Sequence, residues 1–293
     1  MMQTLLQTMR PKQWAKNIFI FGALVFDKKL FDPVYFFRTL AAFAMFCLIS
    51  STVYIINDLG DIEKDRQHPT KKNRPLAAGR LKPSVAMGAV AGMLVVLLPL
   101  AFALQPEFGI IVLAYLVNNL LYTYWLKNVV IVDVLSIAAG FVMRVAAGVA
   151  VIPTERFSPW MYVCMTLLAL FIGFGKRRHE LALLAGDANN HRRVLDEYSL
   201  RFLDEMMGVV TASTVMAYAI YTFSAEGLPS NHSMMLTVPF VLYAIFRYLY
   251  LVHVRGEGGA PEEVLLGDLP FLIDVVLWGV LVVILLYVAP AQP

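Results

Sequence analysis

Charged residues are scarce in this sequence: Asp, Glu, Lys and Arg make up only 15% of its 293 residues. Hydrophobic residues make up 59%, and the mean hydropathy is +0.67. Soluble domains average about 25% charged residues, because their surfaces face water. The scarcity of charge therefore excludes an ordinary soluble domain and indicates an integral membrane protein.

Cysteine is also scarce, since the chain has only Cys47 and Cys164 and both lie in apolar stretches. Packing is the ordinary role there, so we expect neither a disulfide framework nor a cysteine metal site. The sequence has no low-complexity linker, and its opening MMQTLLQTMRPKQWAKN lacks the apolar core and cleavage site of a signal peptide. We therefore expect a single domain, residues 1–293, whose first span stays attached.

Long apolar runs are what the sequence does contain, and they recur near the ~20 residues needed to cross a bilayer. We predict an all-α integral membrane protein, a bundle of nine transmembrane helices. The predicted spans are roughly 14–31, 36–57, 84–104, 108–126, 129–152, 159–176, 204–225, 236–254 and 271–290. The first span is the weakest, because Lys16 and Asn17 lie inside it.

The distribution of basic residues predicts the orientation of these spans. With a cytoplasmic N-terminus, most Lys and Arg fall on the cytoplasmic side, in the N-terminal strip and in two long charged loops, 58–83 and 176–203. The outer segments hold only Lys28, Lys29, Arg38 and Arg156. By the positive-inside rule we expect a multi-pass plasma-membrane protein with its N-terminus and its chemistry on the cytoplasmic side.

The first of these loops opens with a dense charged motif, NDLGDIEKDRQHPTKKNRP, from Asn57 to Pro75. Asp58, Asp61 and Asp65 are spaced i, i+3 and i+7, which places three carboxylates on one stripe of an α-helix, with Asn57 a turn before Asp61. Such carboxylates repel one another unless a cation lies between them. Magnesium suits this set, since it prefers oxygen ligands and is often shared with substrate phosphates.

A cationic arm follows the acidic stripe, because Lys71 and Arg74 lie directly downstream. Mg²⁺ combined with Lys or Arg is the arrangement that neutralises a diphosphate leaving group. A solvated juxtamembrane loop with the usual basic bias is the plain structural alternative. The carboxylate spacing and the arm together favour a site for Mg²⁺ and a diphosphate.

The pattern NDxxDxxxDxxxPxKxxRP, formed by residues 57–75, resembles the first signature of the UbiA-type membrane prenyltransferase superfamily. The resemblance implies nine transmembrane helices around a cytoplasmic-facing active-site cavity. It also implies that Asp58, Asp61 and Asp65 bind Mg²⁺ and that Lys71 and Arg74 contact phosphate.

A second signature of most members is an acidic DxxxD-like motif after the sixth span, but residues 175–181 here read GKRRHEL. A site that exchanges carboxylates for Lys and Arg binds phosphate directly, without a second metal. This departure resembles one branch, the decaprenyl-phosphate phosphoribosyltransferases, as do RPKQWAKN, YTYWLK and FVMR. The resemblance implies transfer of a 5-phosphoribosyl group from phosphoribosyl pyrophosphate to a polyprenyl phosphate, with release of pyrophosphate and no nucleic-acid partner.

The candidate site residues fall into two groups besides the proposed metal ligands. Candidates for binding substrate phosphate or diphosphate are Lys16, Asn57, Lys71, Arg74, Tyr122, Lys127, Lys176 and Arg177. Further candidates are Asn17, Asp133, Arg144, Glu180 and Arg247. Asp133 and Arg144 lie eleven residues apart on one predicted helix, so they face one way about 16 Å apart. For Arg144 and Arg247, a site role and a structural ion pair stay equally open.

Two other functions are compatible with parts of the sequence. A prenyltransferase moving a polyprenyl chain from its diphosphate to an aromatic acceptor belongs to the same superfamily, but the missing second Asp motif argues against it. A cation transporter could use the acidic stripe, but transporters place such carboxylates near the bilayer midplane, often at broken helices. The length and saturation of the lipid and the oligomeric state stay open.

Overall fold

The computed structural model describes residues 2–67, 71–153, 158–184, 193–259 and 261–288, and their regular structure is helical. The first half contains α1 (Met2–Met9), a 3-10 helix (Pro11–Phe21), α2 (Gly22–Phe26), α3 (Pro33–Gly60), α4 (Ile62–Gln67), α5 (Pro83–Leu104) and α6 (Pro106–Tyr124). The second half contains α7 (Val132–Ala150), α8 (Pro159–Leu184), α9 (Leu200–Ser224), α10 (Val238–His253), α11 (Pro261–Gly267) and α12 (Leu269–Val283), which continues as a π-helical turn (Ile284–Val288). Short 3-10 helices are Lys71–Asn73, Leu126–Asn128, Arg193–Glu197 and Ser233–Thr237.

Eight helices in the described residues are long and apolar enough to cross a membrane. They are α3, α5, α6, α7, α8, α9, α10 with the 3-10 turn before it, and α12 with its π-helical turn. These eight coincide with the last eight spans predicted from the sequence. The prediction of an all-helical, multi-pass membrane protein is therefore confirmed.

The first predicted span, 14–31, differs from the others. The described structure has no long α-helix there, but an 11-residue 3-10 helix followed by the five residues of α2. Arg10, with φ 53° and ψ 63°, adopts a left-handed backbone that separates this segment from α1. A 3-10 helix is wound more tightly than an α-helix and rarely runs so long. The count of nine transmembrane helices therefore stays a prediction.

The chain divides into two compact units. Unit 1 comprises the described part of residues 1–24 together with 30–126 and 143–153. At its centre, α3 packs against α1, the 3-10 helix, α5 and α6. α3 begins at Pro33 because the Asp32 carboxylate accepts hydrogen bonds from the N–H groups of Val34 (2.9 Å) and Tyr35 (3.3 Å). Near its C-terminal end, Ile55 joins a buried apolar cluster with Met9, Leu76, Leu81 and Ala86.

Gly148, on the C-terminal half of α7 in unit 1, is a point of close backbone approach. A Cβ atom added there would lie 1.9 Å from the carbonyl oxygen of Ile20 in the 3-10 helix. Only glycine leaves room for this contact, as is common where membrane helices touch. The contact fixes the distance between the 3-10 helix and α7.

Unit 2 comprises residues 25–29 and 127–142 together with the described part of 154–293. Here α8 packs against α9, and α10 against α9 and α12. Its largest buried cluster includes Val134 of α7, Phe174 of α8, Leu203 of α9 and Tyr248 of α10. The prediction of a single domain stays a prediction.

Candidate active site

The acidic motif of unit 1 lies where α3 ends and α4 begins. Asn57 and Asp58 lie in the last turn of α3, whereas Asp65 lies in α4. Asp61 interrupts the helix with φ −109° and ψ 11°, directly after Gly60, a poor helix former. The helical stripe that the spacing predicts is therefore interrupted at Asp61. The N–H groups of Asp61 and Asp65 still bond to carbonyls four residues back, so the three carboxylates stay on successive turns.

Two arginines hold the carboxylates of this motif. Asp58 is 2% exposed and Asp65 is also buried. Arg74 Nη1 lies 2.6 Å from Asp65 Oδ2 and 3.2 Å from Asp58 Oδ1, and Arg10 Nη2 lies 2.5 Å from Asp58 Oδ1. A buried carboxylate is strongly disfavoured without such partners. We call Arg10, Asp58, Asp65 and Arg74 the acidic cluster.

Asn57 is fixed beside the acidic cluster by α6. Thr123 Oγ1, in the last turn of α6, lies 2.5 Å from Asn57 Oδ1 and 2.7 Å from the carbonyl oxygen of Asn119. The side-chain amide of Asn57 is therefore oriented by its neighbours before any ligand binds. Pro69 of the motif lies outside the described residues.

The donor chemistry of the acidic cluster fits magnesium. The carboxylates of Asp58 and Asp65 already converge on one cationic group, the guanidinium of Arg74. In the part of the chain that the structure describes, no three His, Cys, Asp or Glu side chains come together in a metal-binding group. Mg²⁺ needs no such complete cage, because it commonly binds one or two carboxylates and takes its other ligands from water and substrate phosphates.

Arg144 and Asn17 form a buried polar network in unit 1. Arg144 Nε donates to Asn17 Oδ1 at 2.8 Å and Nη2 donates to the Tyr115 hydroxyl at 3.0 Å. The guanidinium also lies over the rings of Phe46 and Tyr115, 5.6 and 5.0 Å from their centroids. These partners are neutral and form no ion pair with Arg144, so a site role and a structural ion pair both stay predictions for this residue. The network ties the 3-10 helix to α3, α6 and α7.

In unit 2, Asp133, Arg177, Glu180 and Tyr198 form a second set, which we call the arginine cluster. Arg177 is 1% exposed; its Nε lies 2.5 Å from Asp133 Oδ2, and its Nη1 lies 2.5 Å from Glu180 Oε2. The structure thus brings together three predicted site residues, but it directs the guanidinium of Arg177 to two carboxylates. Phosphate binding by Arg177 and by the adjacent Lys176 stays a prediction.

Tyr198 is the member of the arginine cluster that the sequence did not reveal. Its hydroxyl donates to Asp133 Oδ1 at 2.8 Å and accepts the N–H of Ile131 at 2.7 Å. Ile131 has φ 68°, an outlier for a β-branched residue that costs about 1–3 kcal/mol. Burial raises the pKa of Tyr198, as does its hydrogen bond to Asp133, so the hydroxyl keeps its proton. No motif includes Tyr198, and its partner lies 65 residues away.

Arg247 of α10 forms a salt bridge with Asp268, the residue that precedes α12. Its Nε and Nη2 donate to the two carboxylate oxygens of Asp268 at 3.0 and 2.8 Å. Asp268 also caps α12 by accepting the N–H of Phe271 at 2.9 Å. The hydrogen bond from Arg247 holds the pKa of Asp268 below the usual range of an aspartate. These contacts favour the structural interpretation of Arg247.

The remaining candidates occupy intermediate surroundings. They are half-buried, and their roles stay predictions: Lys16, Asp61, Lys71, Tyr122, Lys127 and Lys176.

Comparison with known families assigns this architecture. The model of the UbiA prenyltransferase family matches residues 18–262. The chain belongs to the UbiA prenyltransferase family.

Two curated relatives are similar to this UbiA-family chain over most of its length. The decaprenyl-phosphate phosphoribosyltransferase of Corynebacterium glutamicum is 30% identical, over 98% of this chain and 87% of that protein. The protein of the same name from Mycobacterium tuberculosis is 30% identical, over 89% of this chain and 87% of that protein. The family resemblance predicted from the sequence is confirmed.

Solved structures show the same UbiA fold. A UbiA homologue from Archaeoglobus fulgidus, bound to GPP and Mg²⁺, superimposes with a TM-score of 0.74 at 18% identity, covering 97% of this chain and 99% of that chain. A digeranylgeranylglyceryl phosphate synthase superimposes with a TM-score of 0.66, also at 18% identity, covering 97% of this chain and 98% of that chain. At such identities the likeness carries the fold alone. It supports the all-helical UbiA architecture for this chain.

Proposed function

We propose that this UbiA-family protein transfers the 5-phosphoribosyl group of phosphoribosyl pyrophosphate to a decaprenyl-type polyprenyl phosphate and releases pyrophosphate. The reaction depends on Mg²⁺. The enzyme lies in the plasma membrane with its N-terminus and active site on the cytoplasmic side. The whole-chain relatives named decaprenyl-phosphate phosphoribosyltransferase support this proposal.

The observation that carries the proposal is the difference between the two signature stretches. The acidic cluster keeps its carboxylates, whereas residues 175–181 contain no aspartate and place Arg177 between Asp133 and Glu180. One metal–diphosphate site and one basic stretch suit a donor with a diphosphate and an acceptor with a single phosphate. A phosphate monoester can be bound by cationic side chains without a bridging metal.

The acidic cluster is assigned to the diphosphate of the sugar donor. Asp58, Asp61 and Asp65 would hold Mg²⁺, which when bound neutralises charge on the departing pyrophosphate. Lys71 and Arg74 would contact the diphosphate oxygens, as would Asn57, whose side-chain oxygen accepts the Thr123 hydroxyl. Arg74 then exchanges its carboxylate partners for phosphate, which suits a guanidinium that is partly exposed.

The chemistry needs little from a protein base. The lipid phosphate is ionised near neutral pH, so one of its oxygens can attack the anomeric carbon while the bond from that carbon to pyrophosphate breaks. The bonding electrons leave with the pyrophosphate, and a single displacement inverts the anomeric centre. The residues therefore position the two substrates, exclude water and stabilise the leaving group.

A reconstituted assay tests the proposal. Full-length protein in detergent or nanodiscs is incubated with Mg²⁺, phosphoribosyl pyrophosphate labelled in its ribose and decaprenyl phosphate, and the lipid fraction is separated. Label should enter the lipid at a rate that depends on both substrates and on the metal.

A parallel reaction with polyprenyl diphosphate and an aromatic acid tests the prenyltransferase alternative. A prenylated acid from this reaction, with no labelled lipid from the first, would overturn the proposed function.

A further inference from the structure

We propose that Tyr198 is a positioning residue for this transfer: its hydroxyl joins the turn before α7 to Asp133 and thereby sets the orientation of Arg177 and the phosphate-binding turn of α8. The inference rests on the proposed function. Tyr198 itself touches no substrate in this scheme, because it acts through Asp133.

The first step of the argument is that both oxygens of Asp133 are committed. Oδ1 accepts the Tyr198 hydroxyl at 2.8 Å and Oδ2 accepts Arg177 Nε at 2.5 Å. Asp133 and Arg177 are almost completely shielded from solvent. A lost partner cannot be replaced by bulk water, so the Tyr198 hydroxyl decides how the carboxylate is rotated.

The second step concerns the backbone that carries Asp133. The carbonyl of Ile131 accepts the N–H groups of Val134 and Leu135 at 3.1 and 2.9 Å, which makes Ile131 the start of α7. Its positive φ persists only if the surroundings hold it. The hydrogen bond from the Ile131 N–H to the Tyr198 hydroxyl is one such restraint. One hydroxyl therefore restrains both the backbone before Asp133 and the side chain of Asp133.

The third step is that Tyr198 is anchored from its own side. It lies directly before Ser199, whose hydroxyl caps α9 by accepting the N–H of Phe202 at 3.1 Å. The ring of Tyr198 stacks on that of Phe202, with centroids 6.1 Å apart and an interplanar angle of 26°. Tyr198 is thus held beside the capped N-terminus of α9, which limits the movement of its hydroxyl.

The last step links this network to a ligand. Arg177, held by Asp133, also pairs with Glu180 one turn further along α8. Lys176 precedes Arg177 in the same turn of α8, so the position of Lys176 depends on how Arg177 is held. The ligand chemistry is a phosphate monoester, which both the lipid and the 5-phosphate of the sugar donor carry.

Steady-state kinetics on Tyr198→Phe test the inference, with each substrate varied in turn. We expect KM for one substrate to rise about tenfold, as both hydrogen bonds of the hydroxyl are lost, while kcat stays within about twofold. The substrate affected identifies which phosphate monoester is bound. Tyr218→Phe is the matched control, because its hydroxyl also makes two hydrogen bonds within unit 2, to Thr237 (2.7 Å) and Trp278 (2.8 Å). We expect the control to keep both KM values.

Hydrogen exchange of the peptide around Ile131 separates a positioning role from a purely structural one. We expect faster exchange in Tyr198→Phe together with the raised KM. Faster exchange with unchanged KM values would overturn the inference.

If Tyr198→Phe does not fold, Ile131→Gly is combined with it, because glycine adopts a positive φ without strain. The inference requires that KM still rises in this double variant. A wild-type protein that makes no labelled lipid defeats the proposed function, whereas an active wild type with Tyr198→Phe equal to Tyr218→Phe defeats only this inference.

Discussion

The acidic cluster of unit 1 and the arginine cluster of unit 2 both pair buried carboxylates with arginine, but their arginines differ in exposure. In the acidic cluster the carboxylates are buried, whereas the side chains of Arg10 and Arg74 are 31% and 28% exposed. In the arginine cluster Arg177 is 1% exposed and is held between Asp133 and Glu180. The cations of unit 1 can therefore exchange for a ligand, while the cation of unit 2 is part of a fixed frame. Under the proposed function, the comparison separates a binding site from a positioning device, although both consist of salt bridges.

The largest effect is expected from a substitution in the acidic cluster, which tests whether that cluster binds the metal. Asp58→Asn keeps the size of the side chain but removes the charge of a proposed metal ligand, so we expect transfer to fall by at least about 100-fold. The labelled-lipid assay measures the loss, and Mn²⁺ binding followed by electron paramagnetic resonance should weaken in parallel. The matched control is Glu63→Gln, an exposed acid in the same stretch, which should keep full activity. Full activity in Asp58→Asn would remove its assigned role.

The second prediction tests whether Arg177 of the arginine cluster has a structural role. Arg177→Met leaves Asp133 buried without its cation, which should lower the free energy of unfolding by about 3–5 kcal/mol. Arg178→Met is the control on the next residue: it removes a pair with the exposed Asp204, worth about 1 kcal/mol or less. Denaturant unfolding in detergent compares the two variants. Equal losses would mean that Arg177 is no more structural than Arg178.

A third prediction sharpens the idea that Arg74 is exchangeable. Arg74→Gln removes a cation from between Asp58 and Asp65, so without diphosphate the variant should bind Mn²⁺ more tightly. At a partly exposed site one charge is worth on the order of 1 kcal/mol, or roughly fivefold in Kd. Arg66→Gln, an exposed arginine paired with Glu63, should leave Kd unchanged. Weaker binding in Arg74→Gln would instead make Arg74 a supporting partner of the ligands.

The smallest effect concerns a salt bridge outside both clusters. Because Arg247 lowers the pKa of Asp268, the stabilisation is present at neutral pH and is lost as pH falls through the folded-state pKa. We expect Arg247→Gln to be slightly less stable than wild type at pH 7, and the difference to shrink toward about pH 3. Thermal unfolding at the two pH values measures it. A difference that grows on acidification would contradict the assignment.

Local signals accounted for much of the fold. The apolar run predicted the helix at 36–57, which the structure extends to 33–60. The 3-10 helix at 11–21 was not predictable, because hydrophobic content does not distinguish a 3-10 winding from an α-helix. Likewise, the spacing of the three aspartates gave the acidic motif but not the interruption at Asp61.

The candidate site was predictable by residue type but not by partner. Arg177 and Asp133 are 44 residues apart, and Arg10 and Asp58 are 48 apart. Such pairs depend on how helices pack, and no local spacing encodes them. Tyr198 had no signal at all, since a single tyrosine in a charged loop is ordinary. The structure thus adds long-range partners for Arg177 and Asp58 that the sequence could not supply.

The pairing of Arg10 with Asp58 also has a consequence for membrane insertion during synthesis. Arg10 is made 48 residues before Asp58, and Arg74 follows 16 residues after it. At about 5–20 residues per second, Arg10 has been waiting for several seconds when α3 reaches its acidic end. Arg10 is therefore available to pair with Asp58 before Arg74 has been synthesised.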